Sequence, residues 1–258
     1  MRLRYAFSLA AASALLVVGC SDSPTEPSVQ ATNVAHFLPS HSSLRAKLRE
    51  ILTEQNGGLG FEMWATILDR NGVVVDVVYS GEHRGDQWPG SRVISAQKAN
   101  TGNAFSLPGF ALSSANLYAP VQPGGSLFGL QESNPVNTDV AYGGKAADFG
   151  SLKDFMIGKR IGGINVFGGG LGLYTPGGKL VGGIGLSGDT ACTDHIIAWK
   201  LRHSLNLDNV PAGVAPGPPT TGTDNIIYAV GTIDGFEHPE CFDTPGQGNH
   251  VAIAEALP

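Results

Sequence analysis

The sequence predicts an α+β domain: an antiparallel β-sheet built from two hairpins, with helices packed on it, followed by an irregular C-terminal extension. Three observations carry this fold class. Two β-rich runs, residues 61–68 and 73–79, flank Asp69-Arg70-Asn71-Gly72, and Asn-Gly is the strongest short hairpin signal because its residues accept positive φ. A second pair of runs, GLGLY and KLVGGIGL, flanks a turn at Thr175-Pro176-Gly177-Gly178. Helical patterns precede, separate and follow the hairpins, which fits an antiparallel sheet and argues against a doubly wound parallel one.

Taken in order, the chain opens on a targeting pattern. Arg2 and Arg4 precede an apolar stretch over residues 5–18, which has signal-peptide character. It is shorter than the about 20 residues of a membrane-spanning helix. It ends in Val17-Val18-Gly19-Cys20, similar to a bacterial lipobox. Residues 1–19 are therefore expected to be a lipoprotein signal peptide and Cys20 the lipidation site. Residues 20–42 would be a lipidated, disordered tether rich in Ser, Pro and Thr. The expected location is the cell envelope outside the cytoplasm, with the lipid as the one link to the membrane. Disulfides persist there.

The α+β domain is placed at residues 43–207. Leu44, Leu48, Ile51 and Leu52 recur at helical spacing, and Asn56-Gly57 ends that helix near 58. After the first hairpin, the polar loop GEHRGDQWPGS holds His83, Arg84, Asp86 and Trp88. Residues 91–106 read as a helix capped by Ser91, with Ser95, Ala99 and Gly102 forming a small-residue stripe that admits a close neighbour. A short helix is expected within 109–121. Residues 106–158 form a long insertion, irregular from 121 onward, and loops of that length are usually functional or oligomer contacts. After the second hairpin, Asp189 or Thr190 caps a helix running to about 205. Its stripe is Ile197, Leu201 and Leu205, and Lys200, Arg202 and His203 suit its negative end. Residues 208–258 are a Pro- and Gly-rich extension with one strand candidate at 225–230.

Composition sets further bounds. The chain has 258 residues, net charge −6 and pI near 5.6, without a basic run, so a nucleic-acid partner is not expected. There are 36 glycines, which cluster without a fixed period and so read as tight turns and close backbone approach. No G-x-S-x-G elbow is present, and no reaction can be named from the chain.

The densest chemistry lies in GLSGDTACTDHIIAW, residues 185–199. Gly183, Gly185 and Gly188 match G-x-G-x-x-G between a strand and a helix. A dinucleotide fold is rejected, because the strand arrives from a hairpin and a Pro-rich loop follows the helix. Two readings remain. The turn at 187–190 could present backbone N–H groups to a carboxylate or propionate, or the glycines could serve only tight strand-to-helix packing. Cys192 and Cys241 are the thiols left once Cys20 is lipidated, so a disulfide is expected in an oxidising compartment. The rival is zinc: Cys192-x-x-His195 and His238-x-x-Cys241 are mirrored ligand spacings. It ranks second for the same reason. Lys98 sits within a small, apolar helix, where it projects into a cavity or marks a solvated face. His83 and Arg84 are surface residues or rim a pocket.

These residues resemble the GlcG/HbpS-like family. Residues 65–106 carry its valine-rich hairpin, its loop and a Lys-Ala helix, and residues 162–199 are similar to its second half. The resemblance covers residues 61 to about 205. It implies an antiparallel α+β fold and homo-oligomers. Some members bind or degrade haem; others have no settled activity. It places the family's helix lysine at Lys98, its glycine turn at Gly185 and Gly188, and its helix acid at Asp194. The expectation is a lipid-anchored, haem-binding protein whose cleft is lined by Phe105, Leu107 and the glycine-rich hairpin. His195 or His83 would ligate iron, chosen on chemistry alone, and Lys98 or Arg92 would pair propionates. Without C-x-x-C-H the haem would be non-covalent. Two alternatives stay open. One is an enzyme or binder for a small organic acid, anchored by Lys98 and the helix start at Asp189. The other is a structural module stiffened by the disulfide. Every ligand reading needs a concave site at the glycine corner.

Overall fold

The computed structural model describes residues 37–217, 220–228 and 235–258. The expected signal peptide, Cys20 and the tether up to residue 36 lie outside the described residues.

Helix α1 spans His41–Ile51, with Ser40 as its cap and Leu44, Leu48 and Ile51 buried. It begins earlier and ends earlier than the pattern predicts. The Asn56 side chain donates to the carbonyls of Ile51 and Glu54, so a turn consumes the groups a longer helix would use. Strands β1 (Trp64–Asp69) and β2 (Val74–Tyr79) form the first hairpin, and β3 (Gly170–Tyr174) and β4 (Leu180–Ser187) the second. Both are antiparallel, in a sheet of order β2-β1-β4-β3, so β1 and β4 join the hairpins at the centre. The first turn is organised by Asp69, whose Oδ1 accepts from the N–H groups of Asn71 (2.8 Å) and Val73 (2.9 Å).

Strand alternation assigns the two faces. Leu171, Leu173, Ile184 and Leu186 point to a core shared with α1 and with α5, Ala191–Ser204. On the other face lies α2, Ser91–Ala104. There the alternate positions are Gly170, Gly172, Gly183 and Gly185. A Cβ at Gly170 would stand 2.1 Å from the Lys98 carbonyl oxygen, and one at Gly183 would stand 2.4 Å from that of Ala99. Helix α2 therefore rests directly on strand backbone, and its own Gly102 would, with a Cβ, come 2.5 Å from Leu171 N. Ser91 is not a cap but the first residue of α2; Gly90 holds the cap position without a side-chain bond.

The insertion contains 3₁₀ turns at Ala115–Leu117 and Ala119–Val121, then short helices α3 (Leu130–Ser133) and α4 (Thr138–Ala141). Arg92 pins it down. Its Nε donates to Asp154 Oδ2 at 2.8 Å, Nη1 donates to the Ala141 carbonyl, and its guanidinium lies 3.7 Å from the Phe149 ring centre. In the extension, Asp224 forms a buried two-pronged pair with Arg202 at 2.7 and 2.8 Å, and α6 (His250–Glu255) closes the chain. The strand candidate at 225–230 is not a strand over its described part; it makes one isolated bridge, Tyr228 with His238, and residues 229–230 are outside the described residues. Cys192 and Cys241 form a disulfide. Both sulfurs are thereby used, and the rival zinc arrangement needs them as thiolates.

Candidate functional site

Thr190 caps α5, its Oγ1 accepting from Thr193 N. Asp189 does other work: its carboxylate accepts from Leu59 N (2.8 Å) and Phe61 N (3.0 Å) and so fixes the loop before β1. Asp194, in the first turn of α5, folds back. Its Oδ1 accepts from Gly188 N (3.2 Å) and Asp189 N (2.9 Å), and its Oδ2 accepts from Lys98 Nζ at 2.6 Å. Lys98 is buried, not on a solvated face. The donors expected to hold a ligand's carboxylate thus hold the chain's own. Burial pushes Asp194 up to about 6, against the opposing pull of Lys98 and the backbone N–H groups.

The glycine corner is solid. A Cβ at Gly185 would meet the Ser95 carbonyl oxygen at 1.9 Å, and one at Gly188 that of Glu62 at 2.5 Å. Of the two readings for these glycines, the close-packing one describes what they do. The cleft expected from Phe105 and Leu107 does not form against the glycine hairpin, because α2 covers that hairpin. Phe105 packs instead on Leu117, Val121, Ile164 and Val166, and Leu107 is exposed. Arg92 is committed to Asp154 inside the protein, so it offers nothing to a propionate.

His195 is fully buried. Its Nε2 accepts from the Ile226 N–H at 3.0 Å, beside Asn225 Oδ1 at 3.1 Å, and its Nδ1 has no partner. Burial pushes it down to about 3, so the ring is neutral. With Ile226 on its lone pair, His195 cannot reach an iron unless the extension moves. His238, which the sequence raised only for zinc, is similar. Its ring lies 5.0 Å from that of Tyr118, its Nε2 has no partner, and burial pushes it down to about 4.

Open grooves lie elsewhere, one of about 340 Å³ along Ala215, Asn225, Ile226 and Tyr228 of the extension and one beside the loop after β2. The latter, of about 310 Å³, is lined by Phe61, Gly85, Asp86, Gln87, Trp88 and Pro89. The loop that walls it is pre-organised. Buried Gln87 donates to the carbonyls of His83 and Arg84 and accepts from Gly81 N; Asp86 accepts from His83 N at 2.7 Å; Trp64 Nε1 donates to the Trp88 carbonyl. Phe61 and Trp88 meet edge to face at 6.0 Å while remaining 40% and 59% exposed. His83 is exposed on the same loop. Sequence reasoning left this loop as surface or pocket rim and missed Phe61, which precedes β1 and so lies at the same end of the hairpin. A tryptophan in a polar loop was the available signal.

The family model for haem-degrading HbpS-like proteins matches residues 42–201. The chain belongs to the HbpS-like family. Its match ends within α5, and the extension lies beyond it. Similar solved structures include Klebsiella pneumoniae protein ORFY, with 20% identity, 65% of this chain and 90% of that one covered, and a TM-score of 0.43. The PduOC:haem complex has 20% identity over 69% and 95%, with a TM-score of 0.44. A double mutant of Streptomyces reticuli HbpS has 15% identity over 76% and 99%, with a TM-score of 0.40. No curated protein matches this HbpS-like chain.

Proposed function

We propose that this protein binds haem non-covalently in the groove between Phe61 and Trp88, with His83 as the iron ligand. The observation that carries the reading is the groove itself: the exposed rings of Phe61 and Trp88 meet in it, and the loop that supplies Trp88 also carries an exposed imidazole, His83, outside the groove lining. Membership in the HbpS-like family supports the choice of ligand. The inner corner does not fit a macrocycle, since it is packed to backbone contact. The outer groove is open and apolar: the Trp88 and Phe61 rings would rest against one face of a porphyrin, and solvent-facing His83 on the same loop as Trp88 would offer a nitrogen. Bound haem would supply an iron that an imidazole coordinates. The organic-acid reading loses its two anchors, because Asp194 occupies both Lys98 and the N–H groups at Asp189. Tethering in the cell envelope through Cys20 remains part of the proposal, supported by the lipobox-like residues 17–20.

Titration of the full chain with hemin tests this. A saturable, shifted Soret band is expected, abolished by His83→Ala, weakened at least tenfold by Trp88→Ala, and kept by His195→Asn. A wild-type spectrum equal to hemin in buffer would refute haem binding. An unchanged band in His83→Ala would refute this site.

A further inference from the structure

We propose that the C-terminal extension is a disulfide-clasped lid over His195, which dithiol reduction of Cys192–Cys241 releases while the rest of the domain stays folded. This is independent of the haem reading.

The first support is where the polar defects lie. Among the described residues, the buried side-chain atoms without a hydrogen-bond partner are His195 Nδ1, Arg202 Nε, Tyr228 Oη and His238 Nε2. All sit where the extension meets the domain: Tyr228 and His238 belong to it, His195 is bonded by its Asn225 and Ile226, and Arg202 by its Asp224. Two of the four are on α5 where it faces the extension and two are on the extension itself; elsewhere among the described residues there are none, which marks this seam as the least well satisfied. The second support is apolar content. The apolar cluster at the seam, Ala115, Cys192, Ile196, Ile226 and Ala254 with partly buried Tyr228, Cys241, Ile253 and Leu257, is smaller than the cores on either side of the sheet. Segments with few buried apolar contacts open at lower free energy than the core. The third is the family match, which ends at residue 201 and so leaves the extension outside.

The clasp is chemically reachable. Cys192 is fully buried, whereas Cys241 is partly exposed. A thiolate of a small dithiol attacks Cys241 Sγ and expels Cys192 as a thiolate in the first turn of α5, where the positive end of the helix dipole favours negative charge. The second thiol of the reductant then closes its own disulfide and frees Cys241. Two electrons pass from the dithiol to the protein disulfide, and two protein thiols result. Asn225 and Ile226 can then leave His195, giving a neutral imidazole a path to solvent.

Amide hydrogen exchange and carbethoxylation of histidines, read by mass spectrometry on the full chain with and without dithiothreitol, test this. Reduction should speed exchange at least tenfold in residues 224–228 and 235–258, make His195 modifiable, and leave residues 64–104 unchanged. Cys241→Ser should reproduce the reduced pattern without reductant. If the extension and His195 stay protected after reduction, the lid is refuted. If exchange rises equally through β1 and α2, the bond is a global staple and the lid is likewise refuted.

Discussion

Lowering the pH from 7 to 5 should destabilise the oxidised protein by about 2–3 kcal/mol, and the two buried histidines set the sign. His195 and His238 are pushed from 6.5 to about 3 and about 4 by burial. Their folded values lie below the unfolded one, so the unfolded chain takes up the protons first. The stability they confer is complete above about pH 6.5 and is lost as the pH falls toward their folded values. At pH 5 the unfolded imidazoles are mostly charged and the folded ones neutral, a difference of about 2 kcal/mol each. Asp194 works the other way. Its folded value of about 6 lies above the ordinary 3.8, so the folded state takes up that proton and regains about 1 kcal/mol by pH 5. Urea unfolding at the two pH values, followed by tryptophan fluorescence, measures the balance. The double variant His195→Asn, His238→Gln should lose the acid sensitivity. Equal or greater stability at pH 5, or an unchanged drop in the double variant, would refute the reasoning.

Two further outcomes follow from the packing. Gly185→Ala places a methyl 1.9 Å from the Ser95 carbonyl oxygen, which cannot relax without lifting α2, so a loss of at least about 3 kcal/mol is expected. Gly109→Ala, with nothing within 4 Å, is the near-neutral control, and similar thermal midpoints for the two would contradict the backbone-contact picture. Asp194→Gly strands buried Lys98 and should cost about 3–5 kcal/mol. Formate or acetate should restore part of the melting temperature by sitting where the carboxylate was, whereas chloride should not; equal effects of all three salts would show that no carboxylate seat exists.

Much of the frame was legible because its signals are local. Asn71-Gly72 and Pro176-Gly177 mark their own hairpins, and the alternation in Gly-Leu-Gly-Leu states that one face of β3 is bare. The site was less legible because its partners are remote. Nothing near Arg92 announces Asp154, and nothing near His195 announces Asn225 and Ile226, which arrive from the extension. Lys98 and Asp194 were each named as candidate ligand residues, but the structure pairs them with one another, and residue type cannot tell a ligand's carboxylate from the chain's own. Ser91 looked like a cap because serine favours that position, but the turn from Trp88 starts the helix one residue earlier. Helix α6 escaped notice because six residues carry too little apolar periodicity to register.

The seam between α2 and the glycine face of β3 and β4 has a mechanical consequence. Carbonyls and amides meet there with no side chains between them, so the joint has no padding to compress and no slack to absorb a shift. A tug on α2 is handed straight to the sheet, and what gives way first lies at the outskirts, in the chain beyond α5.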